Sequence, residues 1–233
     1  TWFLDSATAM HPNLQYAAIK PPPFNGTGSG IIWSSLRWNS QMTDAVALLT
    51  ASASDGAGAG WDTSDERAWQ KWNTEYLQWL TTSDNGAVAA QTTNNHHTWL
   101  AVETIALALA VGNPSTAIKS AQTMIDPSVP GNIAAQITAN GAMPREIQRA
   151  NPISYNCMNL RGLLNLVQVT SHVQGNWTAH GGLFYWRNES GYGSIPVALD
   201  YLVFDTASLS SCLLQKNETN SQLLTQQSFH FVA

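Results

Sequence analysis

From about Leu36 onward, apolar residues return every three to four positions, the spacing of one face of an α-helix. Trp38, Met42, Ala45, Val46 and Leu49 share such a face, and the ASDGAGAG stretch (53–60) closes that helix with a loop. Asp62 or Ser64 can cap the next helix, whose buried stripe is predicted as Trp69, Trp72, Tyr76, Leu77 and Leu80. A third helix is expected from near Asn94 to the stop signal Gly112-Asn113-Pro114, with Trp99, Val102, Ala106 and Leu109 turned inward. Shorter helices are predicted from Pro114 to about Ile125 and, after the DPSVPGN turn, from Ile133 to about Asn140.

The segment MPREIQRANPISYNCMNLRGLLNLVQV (143–169) reads as two helices. Pro144 suits the first position of one, and Asn151-Pro152 the cap and first position of the other. Ile153, Cys157, Leu160, Leu164 and Val167 are expected to carry the second inward. A last helix is predicted from Pro196 to about Leu213, after the Gly- and aromatic-rich HGGLFYWRNESGYGS. The first 30 residues, with a PPP run at Pro21–Pro23, show little periodicity, and alternating strand patterns are scarce. The pattern predicts an all-α chain, a single domain over residues 1–233 built of antiparallel helices and turns.

Composition narrows the setting. Charged residues are only 11% of the 233, below half the usual share, so neutral polar side chains carry the surface. The net charge of −5 and the lack of any basic run argue against nucleic acid, and no stretch has the length and apolarity of a membrane span. Sequons stand at Asn25, Asn176, Asn188 and Asn217, and a single cysteine pair, Cys157 and Cys212, is present. With so few lysines, these features predict a secreted glycoprotein. No signal peptide begins the chain, which is therefore expected to be a mature or partial form.

Familiar nucleophile elbows, phosphate loops and CxxC pairs are absent. The unusual stretch is TTNNHHTWL (92–100), where Asn94, Asn95, His96 and His97 crowd the start of a helix that they do not favour. Adjacent helical residues point about 100° apart, so His96 and His97 do not share one metal. Arg149 ends one short helix and Tyr155 lies in the first turn of the next. The break at Asn151-Pro152 lets both face a common cleft with Asn95 and His96. Residue types alone leave the separate duties open: a capping Asn, a satisfied His, a surface Arg and a core Tyr.

Taken together, TWFLDSATAMHPNLQYA (1–17), the Trp-rich WDTSDERAWQKWNTEYLQWLTTS (61–83), NNHHTW (94–99), PREIQRANPISYNCMNL (144–160) and GYGSIPVALDYL (191–202) resemble the alginate lyase family. The chain departs from that family's pattern at His11, Ala18 and His97. The resemblance implies an incomplete (α/α) toroid of antiparallel helix hairpins, lacking N-terminal helices of the family. It also implies a monomeric enzyme that cleaves an acidic polysaccharide, a 1,4-linked polyuronate such as mannuronan or glucuronan, by β-elimination without metal or organic cofactor. Carried over by position, the catalytic residues are Asn95, His96, Arg149 and Tyr155. Asn95 and Arg149 would neutralise the sugar carboxylate, and His96 would act as base or second neutralising group. Tyr155 would protonate the leaving O4 oxygen and can also serve as base.

Further sugar contacts are expected from Arg37, His97, Tyr185 and Arg187, with Trp99 and Trp33 as stacking faces; surface or core duty is the alternative for each. Cys157 and Cys212, on two late helices, are expected to pair. An acidic-glycan-binding protein without catalysis, on the same scaffold, is the alternative function.

Overall fold

The computed structural model describes residues 3–5, 7–16, 36–54 and 61–204, with the backbone alone for 36–39, 53, 54 and 204. Among these residues the chain is helical and contains no strand. Helix α1 spans Leu36–Ser54, α2 Thr63–Thr82, α3 Asp84–Ala90, α4 Asn95–Ala110 and α5 Pro114–Thr123. Single turns α6 (Ile133–Gln136) and α7 (Pro144–Ile147) lead to the long α8 (Pro152–Thr170). A 3₁₀ turn (Asn176–His180) and α9 (Ile195–Phe204) follow.

Local chemistry sets most of these boundaries. Asp62 accepts from the backbone N–H groups of Ser64 (2.7 Å) and Asp65 (2.9 Å), satisfying two of the unpaired donors that open α2. Its predicted stripe is buried: Trp69, Trp72, Tyr76, Leu77 and Leu80. Phe3 meets Trp69 and Trp72 edge-on at 5.4 and 4.9 Å, and the Trp72 indole N–H donates to the Met10 carbonyl (3.0 Å). The N-terminal turns are thereby tied to α2. Ser83 ends α2 and starts α3, its hydroxyl accepting from Gly86 N–H at 3.1 Å. Sequence pattern did not predict α3, whose seven residues are too few to show a period.

Three inward stripes differ from expectation. In α1, Met42 and Val46 are half-buried while Ala45 and Leu49 are exposed; the buried residues among those described there are Ser40 and Thr43, and the Thr43 hydroxyl donates to the Ser40 carbonyl (2.8 Å). Helix α4 has no single inner stripe, because α1, α2, α3, α5 and α8 all pack against it and every residue from His97 to Ala108 is buried. In α8 the buried face runs through Asn156, Asn159, Leu160, Gly162, Leu163 and Leu166, leaving Cys157 and Leu164 exposed. The apolar residues there gave the wrong phase because two asparagines and a glycine occupy the buried face.

That glycine sets a distance. A Cβ at Gly162 would lie 3.0 Å from Thr98 Cγ2 and 3.0 Å from Trp99 Nε1, so α8 and α4 approach at a point where only hydrogen fits comfortably. A buried amide network holds the same crossing: Thr98 Oγ1 (3.1 Å) and Asn159 Nδ2 (3.0 Å) both donate to Gln136 Oε1, and Gln136 Nε2 donates to the Gly131 carbonyl (2.6 Å). The first turns of α4 and α8 are fixed relative to one another by these contacts. The predicted helix over 133–140 stops at Gln136, beyond which Thr138 pairs with Ala142 in a turn instead. The predicted continuation of α9 towards Leu213 lies outside the described residues.

Candidate active site

Asn94 caps α4, its side-chain oxygen accepting from His96 N–H at 3.2 Å, so Asn95 and His96 occupy the first turn as predicted. Asn151 caps α8 in the same way through Ser154 N–H (3.2 Å), with Pro152 at the first helical position. Arg149 lies two residues before that cap and Tyr155 just inside the helix. The break between them has the anticipated effect: the Arg149 guanidinium stands over the Tyr155 ring, 4.3 Å from its centre.

His96 joins this pair electrostatically. Its pKa is lowered, first by burial and then by the positive charge of Arg149. Neutral imidazole is therefore favoured beside a permanent cation. His96, Arg149 and Tyr155 are all half-buried, each with part of its surface open to solvent.

Asn95 is placed differently. It is fully buried and bound to Glu146, itself only 1% exposed. The Asn95 backbone N–H donates to Glu146 Oε1 at 2.7 Å, and its Nδ2 lies 2.9 Å from both carboxylate oxygens. Asn95 Oδ1 is buried with no hydrogen-bond partner. The Glu146 carboxyl is raised above its ordinary value chiefly by desolvation, while the Asn95 donors and the Arg149 charge pull it back down. Sequence reasoning missed Glu146, since its partner is 51 residues away and nothing local marks an acid on a one-turn helix as buried. The nearest signal was its position three residues before Arg149.

The other expected contacts scatter. Trp99 is 1% exposed and belongs to the core, so it offers no face to a sugar; the all-round burial of α4 explains the correction. His97 is 4% exposed and turned away from His96, towards a cavity of about 440 Å³ lined also by Leu80, Ala90, Leu100, Thr116 and Lys119. None of Asn95, His96, Arg149 or Tyr155 lines that cavity. The His97 ring nitrogens make no hydrogen bond of good geometry, and burial lowers its pKa against a smaller opposing pull from the Ala90 backbone. Tyr185, 65% exposed, packs edge-on against Phe184 (5.0 Å), and Arg187 is exposed on the same segment.

Arg37 lies in α1, where its side chain is outside the described residues, as are Trp33, Cys212, Asn25 and Asn217. Cys157 is a free, exposed cysteine on the solvent side of α8, and its expected partner lies outside the described residues. Sequon residues Asn176 and Asn188 are exposed.

The arrangement can do a specific kind of work. A fixed cation, a neutral imidazole and a phenol are brought to two helix starts, and Asn95, next to the imidazole in the chain, forms a buried amide–carboxyl pair with Glu146. Such a set can bind a carboxylate, accept a proton and donate one.

A family profile described as alginate lyase matches residues 1–184. The fold is similar to the crystal structure of an alginate lyase from Bacteroides ovatus, with 25% sequence identity and a TM-score of 0.74. The match covers 89% of this chain and 51% of that one, so the chain spans about half the length of the solved structure. No curated protein sequence matches.

Proposed function

The chain belongs to the alginate lyase family, and on that premise we propose that it cleaves a 1,4-linked polyuronate, mannuronan or glucuronan, by β-elimination on an incomplete (α/α) toroid. The observation that carries the reading is the Arg149 guanidinium 4.3 Å over the Tyr155 ring while its charge acts on His96. Three separately encoded groups thus share one electrostatic environment.

In the proposed reaction the proton on C5 of a uronate is removed, the C4–O4 bond breaks, a C4–C5 double bond forms, and the departing O4 takes a proton. The C5 proton is hard to remove because the attached carboxylate already carries negative charge. Arg149 offsets that charge, and a half-exposed guanidinium can do so through paired hydrogen bonds. A lowered His96 pKa leaves the imidazole unprotonated near neutral pH, able to accept the C5 proton. Tyr155, with its ring held under Arg149, gives its phenolic proton to O4. Where C5–H and C4–O4 lie on one face of the sugar, as in mannuronate and glucuronate, a Tyr155 that enters the cycle as phenolate can take the C5 proton and hand that same proton to O4. Asn95 supports the site from below, through the contact with Glu146.

The same reading includes one domain acting as a monomer outside the cell. Exposed Asn176 and Asn188 within sequons support that location, and glycosidase treatment of protein from a secreting eukaryotic host tests it by a mobility shift. A panel of mannuronan, guluronan, glucuronan and chondroitin, followed by ultraviolet absorbance of the new double bond, tests the activity. Growth of absorbance on mannuronan or glucuronan supports the reading; none on any polymer defeats it.

One observation favours a second reading, a non-catalytic holder of acidic glycans. Asn95 is fully buried with its amide donors spent on Glu146. Protein that binds polyuronate yet never generates unsaturated ends would establish it.

A further inference from the structure

The contact between Asn95 and Glu146 places the amide the wrong way round for the chemistry just described. Glu146 takes the Asn95 backbone N–H at 2.7 Å and Nδ2 at 2.9 Å on each oxygen, so every donor of Asn95 points at the acid. Its acceptor, Oδ1, is left buried without a partner. A site that neutralises a sugar carboxylate needs a free donor instead. Half a turn of the amide exchanges its oxygen and nitrogen with almost no change of shape.

Resting on the lyase reading, we propose that Glu146 is a positioning residue for the elimination: by holding or releasing a proton it sets which end of the Asn95 amide is free. Ionised, it grips Nδ2 and forbids the half turn, which would press Oδ1 against a carboxylate oxygen. With a proton on Oε2 the arrangement reverses. Oε1 still accepts the Asn95 backbone N–H, Oε2–H donates to Oδ1, and Nδ2 takes the place that Oδ1 held. Oδ1 is then served by the acid, and the end of the amide left without a partner is the donor Nδ2. No proton is consumed by the cycle, since Glu146 only shares it with Asn95.

The surroundings are consistent with a proton residing there. Both side chains are essentially without solvent contact, so no bulk water serves the orphaned oxygen. Desolvation moves the Glu146 carboxyl upward on balance. The charged and titratable groups at this end of the packed elements are Arg145 and Arg149 on its own segment, His96 on α4 and Tyr155 on α8. Of these, Arg149 is the one that acts on the Glu146 charge.

Glu146→Gln mimics the protonated acid permanently: its carbonyl accepts the backbone N–H while its amide donates to Oδ1. Glu146→Ala removes the hold altogether. Both variants and the wild type are compared by kcat and KM across pH on the best polyuronate, and by thermal melting across the same range. The expected Gln variant stays within about fivefold of wild-type kcat at the acidic end and overtakes it at the alkaline end. The Ala variant is expected to lose about tenfold or more in kcat with a smaller change in KM. A group raised on folding destabilises the native state as pH climbs through that range, so the melting advantage of Glu146→Gln should widen with rising pH. A Gln variant with native melting that loses about 100-fold in kcat at every pH would overturn the proposal, as would rate and melting profiles parallel to wild type. Should wild type make no unsaturated ends on any polymer, the lyase reading fails separately. The pH dependence of the melting difference still decides the Glu146–Asn95 exchange.

Discussion

Replacing Asn95 by alanine should destabilise the protein by an amount that depends on pH. The substitution removes both 2.9 Å contacts from Nδ2 to the Glu146 carboxylate and keeps the 2.7 Å backbone contact. A hydrogen bond to a charged group contributes about 1.5–3 kcal/mol, and a neutral one about 0.5–1.5 kcal/mol. Where Glu146 is ionised, the loss is therefore expected at about 1.5–3 kcal/mol, and at 2–4 °C per kcal/mol for a chain of this size the melting temperature falls by roughly 3–12 °C. The sign with pH follows from the direction of each influence. The Asn95 donors pull the Glu146 pKa down, so the stabilisation they give is present where the carboxyl is ionised and fades as pH falls through its folded value. Only the weaker neutral bond remains at stake there. Calorimetric melts of wild type and variant from about pH 4 to pH 8 read this directly. A loss that is flat across that range, or smaller than about 0.5 kcal/mol throughout, would refute the assignment of a buried Asn95–Glu146 bond.

Three further outcomes follow from the same geometry. Arg149→Gln removes one of the two influences that lower the His96 pKa, so its imidazole resonance should titrate at higher pH and the acid limb of kcat/KM should move the same way; an unmoved titration would separate Arg149 from His96. Gly162→Val forces a branched side chain into a crossing where even a lone Cβ would sit 3.0 Å from Thr98 and Trp99, and overpacking by about 1–3 kcal/mol with a lower kcat is expected, checked by denaturant melts and single-substrate kinetics. Trp99→Ala should act on stability alone, costing about 3–5 kcal/mol because the ring is core, and a raised KM with unchanged melting would return it to the cleft.

How much of this was legible in the sequence varied with the kind of signal. Caps at Asp62 and Asn151-Pro152 were, as local hydrogen-bonding devices that each start a helix where they stand; Asn94 was read only as the approximate start of α4, and Asn113, read as part of a stop signal, also caps α5. The stripe of α2 was, because bulky apolar residues fill one face and polar ones the other. In α4 the period conveyed little, since five neighbouring helices bury every side of it. In α8 it misled, because Asn156, Asn159 and Gly162 lie on the buried face for packing and hydrogen-bonding reasons that hydropathy does not register. The pairing of Arg149 with Tyr155 could be argued from the Asn151-Pro152 break. The divergence of His96 from His97 followed from helical geometry. Glu146 could not be found this way, because its burial and its partner arise only when α7 meets the start of α4.

The most direct test of the proposed chemistry is the turnover of Tyr155→Phe on the polyuronate that wild type cleaves best, read by absorbance of unsaturated ends. Phenylalanine keeps the ring beneath Arg149 and removes only the hydroxyl that carries the transferable proton. The expected result is a loss of about 10²–10⁴ in kcat with unaltered melting; a variant turning over at the wild-type rate would contradict the assignment of Tyr155 as the proton donor.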